Sequence, residues 1–267
     1  MLPDLPTLIP VVRAIVREEI LPRFNHVNFC IKADGSLLTE ADLATDARIR
    51  QFLKEQWPHI PLLSEEMTAV EQAALLDQGG LLWCLDPLDG TSNFAAGIPL
   101  FATGLALFQD GEVILSLSYD PTRDEMFTAA KGQGAWLNGE PLRCHSNGFS
   151  LAQSIALVDF KRLPMNLVTA LTQRKPPYAS QRNLGSCVLE WAWMAANRGQ
   201  LYLHGGMKLW DMAAGTLLLQ EAGGHACNLQ GESVFHAALE SRSVVASPDK
   251  QLFDAWFHYV QEHLYSA

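Results

Sequence analysis

The chain has 267 residues, enough for one large domain or two small ones around a substantial core. Hydrophobic residues make up 48% and charged residues 18%, as in globular proteins, and no apolar run approaches the ~18 residues of a membrane span. A formal net charge of -10 sets the surface against nucleic acid and anionic membrane as default partners.

The five cysteines (Cys30, Cys84, Cys144, Cys187 and Cys227) are odd in number, far apart and form no C-x-x-C pair. That argues against a disulfide framework and against a zinc site. The first apolar residues are interrupted by Arg13 and Arg17, which does not read as a signal peptide. A cytoplasmic location is the expectation.

In chain order, Leu8, Val12, Ile15, Val16 and Ile20 recur at helical spacing and predict a helix over 7–22. A loop containing Asp34-Gly35 follows. Thr39-Glu40-Ala41-Asp42 reads as a capping box opening a helix over 40–56. Ile60 to Leu63 is a short strand candidate ending at Ser64-Glu65-Glu66, and 67–80 reads as helix and loop. Leu81 to Leu85 is a continuous apolar run, expected as a strand buried on both faces and stopping at Asp86. Two hairpin signals come next: Asp110-Gly111 between Phe101–Phe108 and Val113–Tyr119, then Asn138-Gly139 after Met126–Ala130 and Trp136-Leu137.

Near residue 150 the pattern changes. Strands are expected at 154–158, 200–203 and 244–246, and helices at 163–174, 186–197, 211–222 and 249–264. Strands alternating with helices indicate an α/β half, preceded by an α+β half with a mostly antiparallel sheet. The boundary is set near Asn147-Gly148, giving halves of 1–148 and 149–267 packed as one unit.

The sharpest feature is Asp86-Pro87-Leu88-Asp89-Gly90-Thr91-Ser92-Asn93, two carboxylates three residues apart after a buried strand. Pro87 limits the backbone and Gly90 permits a tight turn. Thr91, Ser92 and Asn93 can open a helix whose free N–H groups bind anions. Two carboxylates about 4 Å apart repel by roughly 4 kcal/mol at an effective dielectric of ~20. A hard divalent cation offsets that repulsion, and all-oxygen ligation suits Mg²⁺ or Mn²⁺ over zinc. The bland alternative is an Asx-type turn. Glu65 likewise reads as a turn charge or a ligand, Asp211 as a helix cap or a ligand, and Asp42 as the acid of its capping box.

Three segments together resemble the inositol monophosphatase family: Leu63-Ser64-Glu65-Glu66, then Asp86 to Phe94, then Leu209-Trp210-Asp211-Met212-Ala213-Ala214-Gly215. Lys32-Ala33-Asp34-Gly35-Ser36 with Thr39 to Asp42 resembles that family's upstream motif, Gly132 to Gly139 its hairpin, and Glu221-Ala222-Gly223-Gly224 a late helix end. The resemblance implies a layered α/β/α/β/α sandwich of the sugar-phosphatase type. It implies Mg²⁺-dependent, lithium-sensitive hydrolysis of a small phosphate monoester by activated water. Glu65, Asp86 and the carbonyl of Leu88 would hold one Mg²⁺. Asp86, Asp89 and Asp211 would hold a second, with a third, weaker ion near Glu65. Thr91 with Asp42 would position or deprotonate the attacking water. The N–H groups of Gly90 and Thr91 would hold phosphate, and Gly185, Ser186, His204 and Asp211 would lie against the substrate. A homodimer is common in the family.

The pattern departs at the substrate end. Relatives that act on inositol phosphate usually carry a glutamate where His204 stands, seven residues before Asp211, and Cys187 is unusual in its loop. Neutral histidine has one acceptor nitrogen against two carboxylate oxygens. Inositol 1-phosphate is therefore not expected to be the preferred ester. Beside Lys208 and Arg182, a second anionic group would suit His204, unless it is a strand-end histidine facing solvent. Histidinol phosphate, a nucleotide 3′-phosphate, or a regulatory binding role on the same fold remain the alternatives.

Overall fold

The structure is a computed structural model and describes residues 2–25, 29–32, 35, 37–173 and 175–264. Ala33, Asp34 and Ser36 of the upstream motif, and the last residue of the expected 163–174 helix, lie outside the described residues.

The strands are β1 (Phe29–Ile31), β2 (Leu37–Thr39), β3 (Leu62–Ser64), β4 (Leu81–Asp89), β5 (Ala102–Gln109), β6 (Glu112–Asp120), β7 (Glu125–Ala130), β8 (Gly134–Leu137), β9 (Glu140–Leu142), β10 (Ile155–Asp159), β11 (Ser180–Arg182), β12 (Leu201–Met207), β13 (His225–Cys227) and β14 (Arg242–Ser247). The helices are α1 (Leu5–Glu19), α2 (Glu40–Gln56), α3 (Ala69–Gln78), α4 (Thr91–Ala95), α5 (Met165–Gln173), α6 (Cys187–Ala195), α7 (Leu209–Glu221) and α8 (Lys250–Leu264).

β3 to β9 form a seven-stranded sheet in sequence order, antiparallel except for the β3–β4 pair. The second sheet has the order β11-β10-β12-β14-β13, with β11, β10 and β12 parallel. Helices α1 and α2 cover the outer face of the first sheet, α6 and α7 fill the space between the sheets, and α5 and α8 cover the second. The result is the five-layered α/β arrangement that the sequence led us to expect. Three apolar cores separate the layers, the central one holding Leu189, Trp191, Tyr202, Leu217 and Phe127. The middle layer is tight: a Cβ on Gly215 of α7 would meet Trp191 Cγ of α6 at 2.1 Å, so only glycine lets these helices approach.

The turn chemistry acts as expected. Asp110 and Gly111, and Asn138 and Gly139, all adopt positive φ, as tight hairpins require. Two elements run further than their composition suggested. β4 continues through Asp86 to Asp89, with a register shift against β5 between those residues. Pro87 cannot donate to a ladder, so it is accommodated at this irregularity, where its carbonyl accepts from the Thr103 hydroxyl at 2.8 Å. β12 continues through His204 and Gly205-Gly206 to Met207, so His204 is not at a strand end. The three-residue strands β1, β2, β11 and β13 are too short to leave a periodic signal.

Candidate active site

β3 and β4 run side by side, and both end at the rim facing α7. Glu65 follows β3, and its N–H donates to Leu85 O at 3.1 Å, which holds it against β4. Asp86 and Asp89 sit on the irregular end of β4. Asp211 stands in the first turn of α7, where its Oδ2 accepts from the Lys208 N–H at 2.8 Å. Residues separated by more than a hundred positions thus converge. One carboxylate oxygen from each of Asp86, Asp89 and Asp211 lies within 4.8 Å of the others.

This crowding is expensive for three anions. Burial raises the Asp86 carboxyl well above its ordinary range, reinforced by the charges of Glu65, Asp89 and Asp211. Burial pushes Asp89 up to about 7, against hydrogen bonds from the Ser186 hydroxyl and the Val188 N–H, both 2.6 Å. Asp211 is pushed up to about 8, by burial and then by Asp89. Among the described residues, Asp86 Oδ1 is buried with no hydrogen-bond partner. A buried, unpaired carboxylate oxygen is costly, and it faces two further carboxylates. An all-oxygen set with an orphaned acceptor fits a hard divalent cation such as Mg²⁺.

Glu65 stands slightly apart. Its carboxyl is raised by burial, and Lys32 Nζ lies 3.1 Å from its Oε1 and 2.9 Å from Glu66 Oε1. Lys32 is a site residue for which the sequence suggested no role, although it lies in the upstream motif.

The turn after β4 is built on Gly90. Its φ is +87°, and a Cβ there would lie 2.8 Å from Leu100 O, so a side chain is excluded twice over. α4 starts immediately after it. Thr91 Oγ1 lies 3.0 Å from Leu88 O and 3.3 Å from Asp42 Oδ1. Asp42 is fixed from below by the capping box of α2, accepting from the Thr39 N–H at 2.9 Å and from its hydroxyl at 2.5 Å. Burial pushes Asp42 up to about 6.

The 183–186 loop reaches this centre from the second half. Ser186 caps α6, and its hydroxyl donates to Asp89, so the residue fastens a carboxylate as well as the loop. Gly185 precedes it. Beneath them lies Glu190, which the sequence gave no reason to single out. It is buried, pushed up to about 7, and accepts from the Leu184 N–H at 2.8 Å and the Tyr202 hydroxyl at 2.9 Å.

His204 does not face solvent: its side chain is 4% exposed. Nδ1 accepts from the Gly206 N–H at 3.1 Å. Nε2 is 3.6 Å from Asp159 Oδ2 and 3.7 Å from Cys187 Sγ. Burial lowers its pKa to about 4, against the pull of Asp159 and with a contribution from Arg162. The cation that acts on it is thus Arg162, while the Arg182 guanidinium bonds to Ser180 Oγ and Gln181 O.

The sheets, the layered helices and this acidic centre define the sugar-phosphatase class of fold. The family model described as "Inositol monophosphatase family" matches residues 7–265, so the chain belongs to the inositol monophosphatase family and is a phosphoric monoester hydrolase. It is 33% identical over 220 residues to an inositol-1-monophosphatase of Mesorhizobium japonicum, covering 81% of this chain and 80% of that one. It is 32% identical over 222 residues to the Nus factor SuhB of Pasteurella multocida, with the same coverage of 81% and 80%. The structure of an IMPase from Thermotoga maritima superposes with a TM-score of 0.82 at 26% identity, over 97% of this chain and 96% of that one. An IMPase/NADP phosphatase complexed with Mg²⁺ and phosphate shares the fold at a TM-score of 0.83 and 24% identity, over 98% and 95%. Among the described residues, no helix is long and apolar enough to cross a membrane.

Proposed function

We propose that the chain hydrolyses a small phosphate monoester in a reaction that requires Mg²⁺. The observation that carries this reading is the convergence of Asp86, Asp89 and Asp211 around the orphaned Oδ1 of Asp86. These three carboxylates would hold one ion, and Glu65, Asp86 and the Leu88 carbonyl another, with a third, weaker ion expected near Glu65. When bound, the ions supply acidified water and neutralise charge developing on the phosphoryl oxygens.

The protein's own part is orientation and proton handling. Thr91 Oγ1 would take a proton from the attacking water while its own proton passes to Asp42 Oδ1, 3.3 Å away, so that the hydroxyl is restored and Asp42 holds the proton. Asp42, pushed up to about 6, is mostly ionised at neutral pH yet basic enough to take a proton. Gly90, at positive φ and packed against Leu100 O, lets the chain turn directly into α4, so that the backbone N–H groups of Gly90 and Thr91 would hold the phosphate. No side-chain nucleophile is needed. Burial raises Cys187, the cysteine beside the site, well above its ordinary range, which keeps it a thiol.

The test is phosphate release from a panel of monoesters, with EDTA and with Mg²⁺ restored. Activity lost in EDTA and regained with Mg²⁺ is expected, and full turnover in metal-free buffer refutes the site. The Nus factor relatives favour a second reading, a regulatory role on the same fold. Absence of release from every ester with Mg²⁺ present is the result that favours it.

A further inference from the structure

β10 and β12 are parallel neighbours, with Asp159 paired to His204. Open α/β sheets bind ligands beyond the carboxyl ends of their parallel strands, and Asp159 is the last residue of β10. The turn after it is anchored on both sides. Asp159 Oδ1 accepts from the Lys161 N–H at 2.6 Å, and Arg162 Nη1 donates to Gly206 O at 2.8 Å. Among the described residues, Oδ2 forms no hydrogen bond; its near neighbour is His204 Nε2, 3.6 Å away. With Nδ1 of His204 already accepting from Gly206, the ring proton belongs on Nε2, facing that carboxylate. His204 therefore offers the pocket no acceptor. Asp159 does, and at 21% exposure its side chain is the open member of the pair.

The pair also adjoins the acidic centre. Nε2 lies 3.7 Å from Cys187 Sγ, and the next residue, Val188, donates its N–H to Asp89. Asp159 is thus joined to the carboxylate cluster through two side chains, His204 and Cys187, and the start of α6, and the alcohol portion of an ester held at the cluster would have to extend along this side to meet it.

We propose that Asp159 is the specificity-determining residue for that alcohol, its Oδ2 accepting a hydrogen bond from a hydroxyl of a polyol or sugar monophosphate. His204 acts behind it as a positioning residue. This inference rests on the phosphatase reading. It also points away from bisphosphates, because a carboxylate at this place repels a second phosphate. A site built to bond a hydroxyl discriminates strongly against esters lacking one, since its own polar group is left unpaired.

The experiment compares kcat/KM for glycerol 2-phosphate and for 4-nitrophenyl phosphate, which has no hydroxyl, in wild type and Asp159→Asn with Mg²⁺. Asparagine keeps an oxygen for the Lys161 N–H and places a donor where Oδ2 was. The ratio of glycerol 2-phosphate to 4-nitrophenyl phosphate should fall at least tenfold, mainly through KM. Asp159→Ser, whose hydroxyl can also accept from Lys161, serves the same comparison if the asparagine variant does not fold. A ratio within twofold of wild type overturns the proposal, including the case where both esters slow equally, because that marks an effect on the metal centre. Wild type that releases phosphate from neither ester refutes the phosphatase reading, and the inference falls with it.

Discussion

Replacing Asp89 by asparagine should stabilise the metal-free protein while crippling the enzyme. Ligand oxygens of Asp86, Asp89 and Asp211 lie within 4.8 Å of one another. At that separation and an effective dielectric of ~20, each ionised pair repels by about 3.5 kcal/mol. Asp89 takes part in two of the three pairs, so full ionisation would put about 7 kcal/mol of gross repulsion on this one side chain. Proton uptake relieves much of it, as the raised values of all three carboxyls indicate. Against the gain stand the bonds from Ser186 and Val188, which an asparagine oxygen still accepts but without charge assistance, a loss of about 1–3 kcal/mol. The balance is a gain of about 1–3 kcal/mol in EDTA near pH 8, read by thermal melting at about 2–4 °C per kcal/mol.

With Mg²⁺ the order should reverse. Ligand at a hundredfold excess over Kd stabilises the wild type by about 2.7 kcal/mol, and the variant should gain much less. Its kcat should fall at least ~10²-fold, roughly 2.7 kcal/mol of barrier. An Asp89→Asn protein that melts below wild type in EDTA, or that gains as much from Mg²⁺, refutes the account of this centre.

The raised carboxyls at and beside this centre also set a pH dependence. Asp42, Asp89 and Asp211 have folded values raised to about 6, 7 and 8, so the native state binds more protons than the unfolded chain. Metal-free stability should therefore fall as pH rises from about 4 to 8, and saturating Mg²⁺ should flatten that slope; denaturant melts across the range check both. Thr91→Val keeps the shape but removes the hydroxyl between Leu88 O and Asp42, and kcat should drop about 10²-fold with the melting temperature nearly unchanged. Near wild-type turnover would remove Thr91 from the proton path. Li⁺ at millimolar levels should inhibit where KCl at equal ionic strength does not, and identical titrations would count against a family-like second ion. His204→Glu sets a second carboxylate beside Asp159, so stability at neutral pH should fall by about 1–3 kcal/mol; a variant as stable as wild type would argue that the two side chains do not meet.

The sequence alone determined what short-range chemistry dictates. Asp-Gly and Asn-Gly require positive φ and so announced their hairpins, and Thr39 to Asp42 announced a capped helix, because capping is satisfied within four residues. The motifs at 63–66, 86–94 and 209–215 pointed to the family and to its acidic residues. Tertiary structure decided which groups meet. The burial that raises Asp86, Asp89 and Asp211 exists only once α7 packs between the sheets and brings Asp211 to the end of β4. Pro87 and Asp86 read as the end of a strand, yet pairing with β5 carries β4 through to Asp89, since ladder bonds on either side outweigh the one that proline cannot make. His204 read as exposed or substrate-facing because histidine is amphipathic. The register of β10 against β12 buries it and sets it beside Asp159. Glu190 and Asp159 carried no signal at all, because an isolated acid in a sequence looks like a solvated charge until the fold removes the water around it.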